Sequence, residues 1–277
     1  MVDTGRIVPC EQSPTSWMRM MQFFSCPSGA TLSYGKAGKG PPLVLVHGSF
    51  SDHETNWAMV RPALEEHFTV YAIARRGRGK TTSGPSLAEE AEDLAAFLAS
   101  LAEPGYLLGH SYGAQVALRA AADSPRHIRK LVLYEPPWPD TAAPEVLVRL
   151  KQRAEGSDWN GLAEDFFSEV LGLTADDIDD LRIADAWPSI VSDAEASLND
   201  ILALCSYRFD PATFRDLQVP VLLQVGTESP RHAFATDALA NNLPHVEIQE
   251  LEGQAHEAMN TAPRLYAETT TRLLLGN

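Results

Sequence analysis

Short apolar runs recur along the chain at residues 43–46, 69–73, 106–108, 130–134 and 219–225, mostly separated by segments of helix length. Runs of this length, too short for buried helices and alternating with helix-length text, predict parallel strands covered on both faces. Two further runs, 21–25 and 32–36, flank the turn residues Pro27, Ser28 and Gly29 and predict a hairpin at the sheet edge. A last strand is expected over 245–251, before a C-terminal helix. Residues 1–19, with Pro9 and Pro14 and no sustained period, read as a loosely attached arm.

Between the fourth interior run and the fifth, over 140–210, the strand-like text gives way to helical spacing. Helices are expected at 143–154, 162–171, 175–183 and 193–205, where residues such as Leu147, Leu150, Phe166 and Val170 recur every three or four positions. This insertion holds 16 Asp and Glu against 5 Lys and Arg, so it carries most of the chain's formal charge of -15. The run Asp176-Asp177-Ile178-Asp179-Asp180 lacks the glycine and spaced glutamate of a calcium loop and reads as the acidic start of a helix.

The acidic balance opposes nucleic acid and anionic membrane surfaces as partners. Cys10, Cys26 and Cys205 are an odd number without metal-ligand spacing, so no disulfide framework, metal or cofactor is expected. No stretch of 18 apolar residues and no export signal is visible, which makes a cytoplasmic protein acting on a small molecule the expectation, with no prediction of oligomeric state.

The chemistry concentrates at Gly109-His110-Ser111-Tyr112-Gly113, placed directly after the run 106–108 and before the helix-forming stretch 114–122. A strand, a sharp turn and a helix make a nucleophile elbow, in which serine adopts strained dihedrals and close backbone approach leaves room only for glycine on either side. The helix N-terminus beside it favours a developing anion. A serine hydroxyl is a weak nucleophile at neutral pH and needs a base, which in turn needs an orienting acid. A second element, Leu43-Val44-Leu45-Val46-His47-Gly48-Ser49, is a strand ending in His-Gly.

In these residues the chain resembles the α/β-hydrolase superfamily, and within it the small serine hydrolases with a helical lid after the sixth strand. The resemblance covers residues from about 21 to 275. It implies an α/β fold with a mostly parallel sheet of about eight strands, helices on both faces, a core of 20–137 and 213–277, and a lid over 138–212. It implies oxyanion-hole amides at Ser49 and Tyr112, and a base at His256, which follows the last strand; His232 and His245 are the rivals. His47 reads as a loop-shaping side chain. The segment Arg75-Arg76-Gly77-Arg78-Gly79 is similar to the family's Asp-x-x-Gly-x-Gly-x-Ser scaffold loop but has Ala74 in the aspartate's place and Lys80-Thr81 near its end. It is not a phosphate loop, because no glycine stands five residues before Gly79.

Two acids are open. Most of the family carries it after the seventh strand, where Glu228 stands one position early; some members, such as haloalkane dehalogenases, carry a glutamate after the sixth, where Glu135 precedes Pro136-Pro137. Glu135 is favoured. Phe50, Trp138, Phe166, Phe167 and Leu171 are expected to line an apolar substrate pocket under the lid. The expected activity is hydrolysis of an ester, lactone or related acyl bond of a small, moderately hydrophobic molecule. The alternatives are C–C bond hydrolysis, a serine-dependent lyase or cyclase, and a ligand receptor with an intact triad.

Overall fold

The computed structural model describes residues 21–276 apart from Pro85, so the expected arm at 1–19 lies outside the described residues. Among them eight strands form one sheet: β1 (Met21–Ser25), β2 (Thr31–Gly38), β3 (Pro42–Val46), β4 (Thr69–Ile73), β5 (Gly105–His110), β6 (Ile128–Tyr134), β7 (Val221–Gly226) and β8 (Val246–Leu251). Their order is β1-β2-β4-β3-β5-β6-β7-β8. The hairpin β1–β2 joins antiparallel to β4, and every later pairing is parallel.

The helices outside the insertion are α1 (Arg61–Glu65), α2 (Leu87–Ser100), α3 (Tyr112–Asp123), α9 (Thr236–Ala240), α10 (Ala258–Thr261) and α11 (Pro263–Leu275). Strand periodicity divides the core between the two faces. In β3 all five residues are buried, but Val44 and Val46 join Leu94, Phe97 and Val116 of α2 and α3. Leu43 and Leu45 join Leu64 of α1 and Tyr266 of α11 on the other side. The edge strand β8 is weakened by its polar pattern: Glu247, Ile248 and Glu250 are exposed, and only its last residue, Leu251, is buried.

Between β6 and β7 lie α4 (Pro144–Glu155), α5 (Trp159–Glu169), α6 (Ala175–Ile183), α7 (Trp187–Ser192) and α8 (Ala194–Ser206). The acidic run is the start of α6: Thr174 caps Asp177 reciprocally, and Asp176 and Asp177 occupy the first turn, where the helix dipole favours them. The six-residue α7, opened by Pro188, is too short to show a period in the sequence. No helix among the described residues is long and apolar enough to cross a membrane.

Beta5 runs two residues further than its apolar text, because Gly109 and His110 still pair with Leu133 and Tyr134 of β6. The chain then turns into α3, whose first residues press on the end of β3. A Cβ on Gly113 would stand 2.3 Å from the His47 carbonyl oxygen and 2.4 Å from that of Val46, both backbone atoms in a buried strand end. Gly113→Ala is therefore expected to lower stability by about 3 kcal/mol or more, read as a drop in the urea midpoint. A loss below ~1 kcal/mol would show that the strand end yields.

Candidate active site

Ser111 sits at φ 54°, ψ -126°, outside the regions an L-residue prefers, between β5 and α3. Its strain is held from three sides. Its amide donates to Tyr134 O at 2.9 Å, its carbonyl accepts from the Ala114 amide at 2.8 Å, and a Cβ on Gly109 would lie 2.5 Å from Gly113 O. The serine thus projects at the carboxyl end of the sheet, at the start of a 12-residue helix.

Glu135, the next residue after β6, is fully buried and also has a left-handed backbone, φ 48°. Its amide donates to Gln224 O at 3.1 Å. One carboxylate oxygen, Oε1, accepts the Gly226 amide at 2.8 Å, and the other, Oε2, meets His256 Nδ1 at 2.5 Å. With Nδ1–H given to the carboxylate, Nε2 is the nitrogen left to accept a proton. Burial alone would depress the His256 pKa, but the hydrogen bond and charge of Glu135 outweigh it and hold it above 6.5.

The ring of His256 lies between Phe234, stacked at 5.3 Å, and His110 at 4.6 Å. Its main-chain oxygen meets His110 Nε2 at 2.9 Å, and the Tyr134 hydroxyl donates to Ala255 O beside it. Neither His110 nor Tyr134 announces this role in the sequence, since a buried residue in a strand reads as core.

Ser111 and His256 share the wall of one cavity of about 520 Å³, although the Ser111 hydroxyl is not hydrogen-bonded to His256 in this arrangement. Glu228 is exposed, and its amide donates to Gln254 O, so it is a brace for the histidine loop and does not touch the histidine. His232 and His245 are exposed, the latter bonded to Gln218 at 3.2 Å. His47 is buried, with Nε2 accepting the Arg75 amide at 3.1 Å and Nδ1 donating to Gly48 O at 2.7 Å, while burial and Arg75 push its pKa down.

The cavity wall takes in Phe50, Phe166, Phe167 and Leu171, with the Phe50 ring 4.6 Å from Phe166 and 5.0 Å from Phe167. Trp138 stands apart from that wall. Its amide bonds Ala233 O at 3.3 Å and its ring packs edge-on to Phe209, because Pro137 pairs with Phe234 and carries the chain over the β7 side first. The expectation that Trp138 faces the cavity is thereby corrected.

Around Ser49 the amides are unequally occupied. Gly48 donates to Asn56 Oδ1 at 2.8 Å, and Phe50 donates to Ser197 Oγ at 2.7 Å. The amides of Ser49 and Tyr112 take part in none of the hydrogen bonds among the described residues, which leaves them as donors beside Ser111.

Below this loop lies a buried charge cluster that the sequence reading missed. Arg75 binds Asp200 of α8 at 2.6 Å, Glu90 of α2 at 3.2 Å and the carbonyls of His47 and Gly48 at 2.8 and 2.9 Å. Its guanidinium also lies 4.4 Å from the centre of the Tyr112 ring. Arg78 binds Asp200 and Asp193, both at 2.8 Å. The signals were three arginines in five residues and an aspartate on the inward face of an apolar helix. At the unusual end of the same loop, Thr81 Oγ1 donates to Ala74 O at 2.7 Å and accepts from the Ser33 amide at 2.9 Å, so the loop is tied without the family's aspartate.

Residues 43–269 match the alpha/beta hydrolase family. The chain is similar to N-formylmaleamate deformylase of Pseudomonas putida, 44% identical over 111 residues, a match covering 38% of this chain and 40% of that protein. It thus spans about two fifths of that relative's length. Over 88% of this chain and 91% of the relative it is 26% identical to 2-(acetamidomethylene)succinate hydrolase of Mesorhizobium japonicum. Among solved structures, an alpha/beta hydrolase from Sphaerobacter thermophilus superposes with a TM-score of 0.80 at 29% identity, covering 91% of this chain and 99% of that one.

Two outcomes are expected from this geometry. Glu135→Gln should lose about 10³ to 10⁴ in kcat, whereas Glu228→Gln should stay within about tenfold of the parent, with thermal unfolding measured alongside. With the neutral His256 imidazole as the base of a hydrolysis, kcat/KM should rise with pH through an apparent pKa above 6.5, and Glu135→Gln should move that limb downward by leaving burial unopposed. An unmoved limb in a residually active variant would remove Glu135 from this role.

Proposed function

Because the chain belongs to the alpha/beta hydrolase family, we propose that it is a serine hydrolase working through an acyl-enzyme, with Ser111 as nucleophile, His256 as base and Glu135 as acid. The observation that carries this reading is the Glu135–His256 hydrogen bond, formed on the wall of the cavity that holds a strained, elbow-mounted serine. His256 Nε2 takes the Ser111 proton as Oγ bonds to the substrate carbonyl carbon. The carbonyl electron pair becomes an oxyanion held by the Ser49 and Tyr112 amides. Imidazolium then protonates the leaving oxygen or nitrogen as the scissile bond breaks, and water repeats the sequence on the acyl-enzyme.

The cavity wall supports a neutral substrate. Its inner part is apolar, with Phe166, Phe167, Ile190, Ile201 and Leu204; among the described residues it includes no Lys or Arg, and its charged members besides the triad histidine are Asp185 and Glu257. The two curated relatives are named for removing a formyl group and for hydrolysing an acetamido compound, so short-acyl amides join esters and lactones as substrate bonds. Both names also describe carboxylic acid derivatives, which a wall carrying carboxylates and no cation repels. The insertion helices α4–α8 act as the lid over this pocket.

A fluorophosphonate adduct should map to Ser111 and disappear in Ser111→Ala. Neutral p-nitrophenyl esters and anilides with acyl chains of graded length should be turned over, with at least tenfold preference over chains ending in a carboxylate. Labelling at another serine, or undiminished turnover by Ser111→Ala, would overturn the reading.

A further inference from the structure

Both proposed oxyanion donors rest on the same buried ion cluster. Ser49 Oγ donates to Asp200 Oδ2 at 2.7 Å, and the same oxygen of Asp200 binds Arg75 at 2.6 Å and Arg78 at 2.8 Å. Arg75 in turn holds the carbonyls of His47 and Gly48, the two residues leading into Ser49. On the other side, the Tyr112 hydroxyl donates to Glu90 at 3.1 Å, and Arg75 covers the Tyr112 ring. One residue further, Ser197 of α8 takes the Phe50 amide, which fixes the peptide following Ser49.

These residues come from five separate places in the chain: the β3 end, the loop at 75–78, α2, the start of α3 and α8. Arg75, Glu90, Ser197 and Asp200 are all buried, and their side chains leave few alternative partners. Bonds of this kind, charge-assisted and out of water, are short and directional. Helix α8 also places Ile201 and Leu204 in the cavity wall, so the helix that touches the substrate pocket is the one that holds the donors.

We propose that two residues of α8 are positioning residues for the oxyanion donors: Asp200, through the Ser49 hydroxyl and through Arg75, sets the Ser49 and Tyr112 amides, and Ser197, through the Phe50 amide, fixes the Ser49 side. The inference rests on the serine-hydrolase reading and adds to it a contribution from the insertion to the transition state. Neither residue touches the substrate. Their effect appears only when the carbonyl oxygen acquires charge, since an amide a fraction of an ångström out of place binds a neutral oxygen almost as well as before.

The test compares Asp200→Asn, Ser197→Ala and, as a control outside the cluster, Arg231→Ala, which removes surface ion pairs with Asp237 and Glu250. Each variant is assayed on a neutral p-nitrophenyl ester and titrated with an aryl trifluoromethyl ketone and with the corresponding alcohol. The ketone adds to Ser111: the Oγ–C bond forms, the carbonyl π pair becomes the oxyanion, and the serine proton passes to His256. The alcohol fills the cavity without forming a bond. Asp200→Asn and Ser197→Ala should lose about 10 to 10² in kcat with KM within about twofold, and their ketone affinity should fall in step while alcohol affinity holds. Arg231→Ala should match the parent.

Unchanged kcat and ketone affinity in folded variants would overturn the inference, as would equal weakening of ketone and alcohol, the mark of a merely structural contact. Should Asp200→Asn fail to fold with two arginines left short of a counter-charge, Ser197→Ala, which keeps both ion pairs of Asp200, decides alone. If the parent protein forms no ketone adduct, the serine-hydrolase reading falls and this inference with it; a parent adduct with variants that bind the ketone equally well removes only the inference.

Discussion

The close approach of α3 to the end of β3 is the constraint from which the site is built. With backbone carbonyls of Val46 and His47 within 2.4 Å of where a Gly113 Cβ would stand, helix and strand end share a space that admits no side chain. That contact forces the sharp exit from β5, which puts Ser111 at positive φ, and it brings the Tyr112 and Ser49 amides to the same side of the sheet. The adjacent strand supplies the next restraint, since the Ser111 amide is taken up by the last residue of β6. Glu135 follows immediately, so Ser111 and Glu135 are fixed to neighbouring strands by one hydrogen bond.

Electrostatics under the site works against burial and is answered by number of partners. Taking two guanidinium groups and the carboxylates of Glu90 and Asp200 out of water costs several kcal/mol per ion, and only a cluster with nearly every lone pair and N–H satisfied repays it. Asp200 is held below the usual carboxylate range: burial would raise it, but Arg75 and Arg78 prevail. Glu90 goes the other way, because burial and the Asp200 charge outweigh what Arg75 returns. The two therefore have opposite linkage. Asp200 contributes stability at neutral pH that is lost as pH falls through its depressed folded value, whereas Glu90, raised, favours folding less once pH exceeds the ordinary carboxyl range.

The sheet was legible in the sequence because its interior strands are buried on both faces and so write continuous apolar runs, as in the fully buried β3. The strand-to-helix turn at Ser111 was legible because an elbow needs glycine at fixed spacing, and His256, which lines the same cavity, stood out because a late histidine follows the last strand. Which of Glu135 and Glu228 meets His256 was not legible, since it turns on the spatial end of β6 and on the Gly226 amide, 91 residues away, which donates to the other Glu135 carboxylate oxygen. The cluster of Arg75 with Asp200 was hidden by a separation of 125 residues, across an insertion whose packing no local period records. Trp138 misled because an aromatic residue at the insertion's entry was read by its position in the chain, while the bridge of Pro137 to Phe234 sends it elsewhere.

Placing the acid on β6 changes what the loop after β7 has to do. In this chain that loop offers only backbone and a threonine hydroxyl to the histidine segment: Glu228 N–H to Gln254 O, and the Gly253 amide to Thr227 Oγ1. On the proposed reading no reacting charge travels through it. Evolution is then free to rewrite residues 228–230 by substitution, provided the Glu228 main-chain brace survives and position 227 keeps its hydroxyl. The same segment becomes a place where new chain termini can be opened or a foreign domain inserted without moving a reacting group.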